Sequence, residues 1–136
     1  MERQLILSQI QTPDGTILKS MHVHDYVTHL DANGETYMID GGNEYQRYTL
    51  NKEPFKDLSI YSDAPFEIIR ENYHRGGRGK NGDEPLKWVP LSKMSDEWLK
   101  NSIKYNNERG MSKSDGNYWY NKELKYRQIM NIFIED

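Results

Sequence analysis

The chain contains no cysteine, which excludes a disulfide framework, a thiol nucleophile and a cysteine-ligated zinc site. It has no apolar run approaching the roughly 20 residues of a membrane span, and Met1-Glu-Arg-Gln4 lacks a signal-peptide pattern. A soluble, cytosolic protein is therefore expected. Alanine is almost missing, with two residues against ten tyrosines and three tryptophans, and hydrophobic residues make up only 35%. The core must be small and aromatic, and burial of part of the apolar surface in a homo-oligomer is expected. An excess of positive charge is also lacking. A net charge of −3 and a pI near 5.8 argue against a protein that coats nucleic acid by neutralising phosphates over its whole surface, while leaving room for a local basic pocket. The 136 residues fit a single domain, β-rich over 1–62 and helical over 63–136.

What is present is concentrated between Ser20 and Arg47, where three of the four histidines, three aspartates and three tyrosines fall together. Asp31-Ala-Asn-Gly34 is a strong hairpin signal because Asn-Gly accepts the positive φ angles of a type I′ turn. Strands are expected at Leu5–Ile10, Thr16–Leu30 and Glu35–Asp40, with shorter ones at Tyr45–Leu50 and Leu58–Tyr61. Pro13-Asp-Gly15 makes a tight turn and Gly41-Gly42 a break. Asp63 and Pro65 open a helix to Tyr73, with Phe66, Ile69 and Tyr73 on its buried side. His74 to Glu84 reads as a loop and Leu86 to Val89 as an extended piece. Ser95 caps a second helix that runs to Arg109 before Gly110. A last helix covers Tyr118–Phe133, with Trp119, Tyr126, Met130 and Phe133 as its buried stripe and Lys122, Glu123, Lys125 and Arg127 on its solvated face. The resulting fold class is α+β, a small antiparallel meander with about three helices.

Three groups of residues could carry function. His22 and His24 alternate with Val23, so on one long strand they would share a face and could grip a metal; Asp25 and His29 would then point the other way. The spacing matches no zinc pattern, and cross-strand hydrogen bonding explains these imidazoles as well. His74-Arg-Gly-Gly-Arg-Gly-Lys-Asn-Gly82 places Arg75, Arg78 and Lys80 among four glycines, a composition suited to an anion but equally to a solvated loop. It is neither a Walker A loop nor a dinucleotide fingerprint. Tyr45, Arg47 and Tyr48 could stack on a base and hold a phosphate, or pack across strands. Trp98, Tyr118 and Trp119 suit core or subunit-interface packing. Neither Gly-x-Ser-x-Gly nor His-Glu-x-x-His occurs, and no nucleophile with an obvious base stands out.

The blocks His24-Asp-Tyr-Val-Thr-His29, Asn33-Gly-Glu-Thr-Tyr-Met-Ile-Asp-Gly-Gly42, Leu58-Ser-Ile-Tyr61, Gly79-Lys-Asn-Gly82 and Pro85-Leu-Lys-Trp-Val-Pro-Leu-Ser-Lys-Met-Ser-Asp96 resemble a group of small proteins encoded by tailed bacteriophages. The resemblance spans most of the chain, from Pro13 to Arg127. Arg75-Gly-Gly-Arg78 departs from the group in being more basic and glycine-rich. The resemblance implies a viral origin and action in the host bacterial cytoplasm; it carries over no catalytic residues. Short, acidic, cysteine-free phage proteins in general include a class of sponges, oligomers that sequester a nucleotide second messenger without cleaving it.

The resulting expectation is a non-enzymatic accessory protein that counters host defence by binding a phosphate-bearing, cyclic nucleotide. His22, His24, Tyr45, Arg47, Tyr48, His74, Arg75, Arg78 and Lys80 are its ligand-binding candidates, and no metal, cofactor or membrane is assigned. Two alternatives stand beside it: an inhibitor that binds a host protein, and a metal-dependent hydrolase or nuclease built on the hairpin histidines.

Overall fold

The computed structural model describes residues 2–136, an α+β chain that divides into two compact units, the first closing at His74 and the second running from Arg75 to Asp136. Among the described residues no helix is long and apolar enough to cross a membrane.

In the first unit, β1 (Leu5–Gln11) turns at Thr12–Gly15 into β2 (Ile17–Ser20), its antiparallel partner, with Ile10 opposite Leu18. β3 (Val27–Leu30), β4 (Thr36–Asp40) and β5 (Arg47–Tyr48) form a second antiparallel sheet, with Val27 opposite Ile39 and Ile39 opposite Tyr48. The other edge of β1 is covered by β6 (Lys56–Asp57) and β7 (Ile60–Tyr61). Ile10, Leu18, Tyr37 and Ile39 close the core between the sheets, with Val27 and Phe55 at its margin. Buried Tyr37 keeps its hydroxyl satisfied by donating to the Glu53 carbonyl at 2.5 Å, as a buried phenol must. α1 (Phe66–Asn72) packs Ile69 against β1 and β7. Its N-cap is Pro65, not Asp63, and no side chain among the described residues caps it; Asp63 instead pairs with Arg3 on the surface, at 3.2 Å.

The long strand expected over Thr16–Leu30 is broken, and the break has a clear cause. Asp25 accepts from Met21 N–H at 2.9 Å, its own N–H donates to the His22 carbonyl at 3.0 Å, and the buried Ser20 hydroxyl donates to the Asp25 carbonyl at 2.6 Å. These side-chain bonds to backbone replace ladder pairing and fold residues 21–26 into a turn. Gly42 seals it from below: a Cβ there would lie 2.3 Å from the His22 carbonyl carbon.

In the second unit, β8 (His74–Gly77), which starts at the last residue of the first unit, pairs with β9 (Lys87–Pro90), so part of the expected loop is a hairpin strand. A short 3-10 turn over Leu91–Lys93 leads to α2 (Asp96–Glu108), and α3 (Asp115–Met130) packs along it. Ser95 and Ser114 cap the two helices by accepting from Trp98 N–H at 3.0 Å and Asn117 N–H at 3.1 Å. The face that α3 buries differs from the expected stripe. Trp119 and Tyr120 are buried, together with Glu123 and Arg127, whereas Met130 and Phe133 are exposed. Arg127 is held by Glu123 (2.7 Å), Asp96 (2.8 Å) and the Leu91 carbonyl (2.8 Å), so Glu123 and Arg127, expected on a solvated face, are buried within the unit.

Candidate functional site: a charged cleft beside Trp98

The glycines of the basic segment serve two different purposes. Gly76 and Gly77 lie on β8 against tryptophan rings; a Cβ on Gly77 would come within 2.7 Å of the Trp98 ring, and one on Gly76 within 3.1 Å of Trp88. Their small size therefore admits the rings. Gly79 (φ +80°) and Gly82 (φ +72°) turn the hairpin tip, where Glu84 N–H donates to the Arg78 carbonyl at 2.9 Å.

This tip forms one wall of a cleft of about 750 Å³. Arg78 and Lys80 come from the tip, Lys93 from the 3-10 turn, and Trp98 and Asn101 from the face of α2. Glu84, Glu97, Glu135 and Asp136 add carboxylates, so cations and acids are interleaved. The amino end of α2 is already covered: Asp96 N–H donates to the Ile134 carbonyl at 2.9 Å, and the Ser95 hydroxyl donates to the Asp136 carboxylate. Asp136 thus stands where an incoming anion would meet the positive end of the helix. Its carboxyl is held below the usual range by the Ser95 hydroxyl first and then by Glu97. Glu97 is held above it by the hydrogen bond to Asp136 and by that group's charge, so a proton shared by the pair resides on Glu97. Arg78, Lys80 and Lys93 are then the groups that can meet a ligand's negative charge, with the Trp98 ring beside them.

The structure brings together two of the nine sequence candidates, Arg78 and Lys80. Arg75 points elsewhere: its Nη1 donates to the Tyr120 hydroxyl at 3.1 Å and its guanidinium lies 5.6 Å from the centre of that ring. His74 is the last residue of the first unit, where burial holds its imidazole below the ordinary value and Nδ1 has no hydrogen-bond partner among the described residues. His22 and His24 do not share a strand face, because both fall in the 21–26 turn. Arg47 pairs with Asp40 at 2.9 Å, and Tyr48 packs edge-on against Phe55 at 4.7 Å between ring centres; Tyr45 is about half exposed. These three belong to the first unit. Trp98, which the sequence assigns to core or interface packing, lines the cleft instead, and Lys93, Asn101 and Asp136 are cleft residues that the sequence does not single out. The signal available was Ser95-Asp-Glu-Trp98, a helix start that fixes where the Trp98 ring emerges.

Comparison with protein-family models, with curated proteins and with solved structures found no match.

Proposed function

We propose that this is a non-enzymatic phage accessory protein that binds and sequesters a phosphate-bearing nucleotide in the cleft beside Trp98, acting in the host bacterial cytoplasm against a nucleotide-signalled defence. The observation that carries the reading is the meeting of the Trp98 side chain with Arg78, Lys80 and Lys93 in one cleft. Base stacking on an aromatic ring contributes about 1–3 kcal/mol, and each charge-assisted hydrogen bond to phosphate about 1.5–3 kcal/mol. Both kinds of contact fit within a cleft of about 750 Å³. Asn101 offers an amide for a base edge, and the interleaved acids favour a ligand with donors as well as phosphates, which a nucleotide is.

The test is direct. Protein is mixed with a panel of linear and cyclic mono-, di- and trinucleotides, and binding is followed by Trp fluorescence and calorimetry; retained ligand is then recovered by heating and weighed by mass spectrometry. Saturable binding, intact release and loss of binding in the Arg78→Ala/Lys80→Ala double variant support sequestration. A chemically altered ligand would replace the proposal with an enzyme, and binding that survives the double variant would place the ligand elsewhere.

A second reading rests on its own observation. Ile129, Met130 and Phe133 are 72%, 55% and 69% exposed on and just beyond the end of α3. Exposed apolar side chains at one helix end suit a protein contact, either a second copy of the chain or a host factor that the protein inhibits. Light scattering of the wild type and of Phe133→Ser separates these: a dimer dissolved by the substitution assigns the cluster to self-association.

A further inference from the structure

We propose that Asp14, His29 and Asp31 form a binding site for a divalent transition-metal ion of the zinc type at the turn end of the first unit. Two turns meet there, Thr12–Gly15 between β1 and β2 and Asp31–Gly34 between β3 and β4. They are tied by Asp14 N–H donating to Asp31 Oδ1 at 3.3 Å and Ala32 N–H donating to Asp14 Oδ2 at 3.1 Å. His29 lies on β3 two positions before Asp31, the spacing that puts both side chains on one face of extended backbone. Its Nε2 is 3.0 Å from Asp14 Oδ2 and 3.6 Å from Asp31 Oδ1, and one donor atom from each residue lies within 4.8 Å of the others. Ligands bound to zinc at about 2.0–2.2 Å need only small closing movements from this arrangement.

Burial is graded across the cluster. The Asp31 side chain is 1% exposed, those of Asp14 and His29 22% and 28%. The site thus has a buried carboxylate as its floor and two ligands at an open mouth, where water or a substrate could complete the coordination. The decisive observation is on Asp31. Its Oδ1 faces the cluster, but Oδ2, also buried, has no hydrogen-bond partner among the described residues. Buried charged groups are paired or coordinate metals. A plain Asp14–His29 ion pair tying two turns together accounts for Nε2 and for Asp14 Oδ2 but leaves that Asp31 oxygen without a partner, which an ion gripped by both oxygens of the Asp31 carboxylate would supply. Asp14 is oriented as an outer shell orients a ligand: its Oδ1 accepts from the Thr12 hydroxyl at 2.7 Å and Thr16 N–H at 3.0 Å, leaving Oδ2 toward the histidine. One imidazole and two carboxylates suit zinc or manganese better than magnesium or calcium, which take oxygen ligands. The site lies within the first unit and does not depend on the cleft reading.

The experiment uses the full chain, treated with chelator and dialysed into metal-free buffer. Titration with Co2+ should give a visible absorption band that saturates at one ion per chain and is displaced by Zn2+. Asp31→Asn and His29→Ala should each weaken Zn2+ binding by more than about 100-fold, beyond the roughly 10–100-fold expected from losing an outer partner of a ligand. His24→Ala should leave it unchanged. Should a variant misfold, the wild type alone decides: Zn2+ must shift the ring resonances of His29 and leave those of His24 in place. Absence of uptake by the wild type, uptake unaffected by both ligand substitutions, or shifts at His24 and not at His29 would each overturn the proposal.

Discussion

Glu123 and Arg127 stand one turn apart on α3 and form an ion pair that water does not reach, with Nε 2.7 Å from Oε2 and side chains 0% and 1% exposed. The guanidinium also holds Asp96 at 2.8 Å and the Leu91 carbonyl at 2.8 Å, so one side chain joins α3, the start of α2 and the 3-10 turn. Asp96 in turn accepts from Ile134 N–H at 3.2 Å, which extends the network to the segment lining the cleft.

Arg127→Met should therefore destabilise the second unit severely. It removes the cation from beside two carboxylates, one fully buried, and breaking a buried pair in this way costs about 3–5 kcal/mol. Glu123→Gln should cost less, since the amide oxygen can still accept from Nε. Urea denaturation of both variants measures the difference, and an Arg127→Met midpoint within error of wild type would refute the network's role.

Local chemistry made much of this fold legible in the sequence, and non-local chemistry hid the rest. Asn33-Gly34 announced its hairpin but not its turn type: Gly34 alone takes a positive φ, +82°, and its N–H donates to the Asp31 carbonyl at 3.0 Å, so the loop is a four-residue turn ending in an αL glycine and not the expected type I′. Ser95 likewise announced α2. The break after Ser20 was invisible because Met21 and Val23 continue an apolar alternation, while the residues that fold the turn, Ser20 and Asp25, act through hydrogen bonds to backbone. The buried side of α3 does not follow its apolar stripe, because its centre is the ion pair of Glu123 and Arg127. At the cleft, charge composition pointed to Arg78 and Lys80 but could not separate them from Arg75, whose partner Tyr120 is 45 positions away. On a continuous strand the pleat would turn His29 away from His22 and His24, but the strand is broken at residues 21–26.

Two glycines with positive φ should respond very differently to alanine. Gly34→Ala meets nothing within 4 Å, so its cost is the backbone strain alone, about 1–2 kcal/mol. Gly42→Ala meets the His22 backbone at 2.3–2.5 Å and must displace the 21–26 turn, which Gly42 also holds through its N–H to Ser20 Oγ at 2.9 Å. Thermal melts should show the larger loss for Gly42→Ala even though Gly34 sits at the larger φ. The reverse order would mean that the turn yields without cost.

His74 should make stability fall on mild acidification. Burial, joined by the charge of Lys19, holds its folded pKa below the ordinary 6.5. The unfolded chain then binds more protons between the two values, so stability rises with pH across that window. Above 6.5 the imidazole is neutral in both states and contributes nothing; as pH drops through 6.5 toward the folded value, the native state is penalised. Urea midpoints from about pH 7 to about pH 5 should fall more steeply for the wild type than for His74→Gln. Parallel profiles would assign the acid sensitivity to other groups.

Arg75 and Arg78 lie three positions apart in one basic segment and should separate cleanly into stability and binding. Arg75→Ala removes a charged hydrogen bond to the Tyr120 hydroxyl and a guanidinium near its ring, a loss of about 1.5–3 kcal/mol. It leaves the cleft wall intact, so nucleotide affinity should change little once the variant is folded. Arg78→Ala lies on an exposed turn, where substitutions shift stability by about 0.5 kcal/mol or less, yet it should weaken binding by about tenfold or more through the lost phosphate contact. Calorimetric affinities and urea midpoints on both variants give the two axes. If Arg75→Ala abolished binding at unchanged stability while Arg78→Ala bound normally, the cleft beside Trp98 would not be the ligand site.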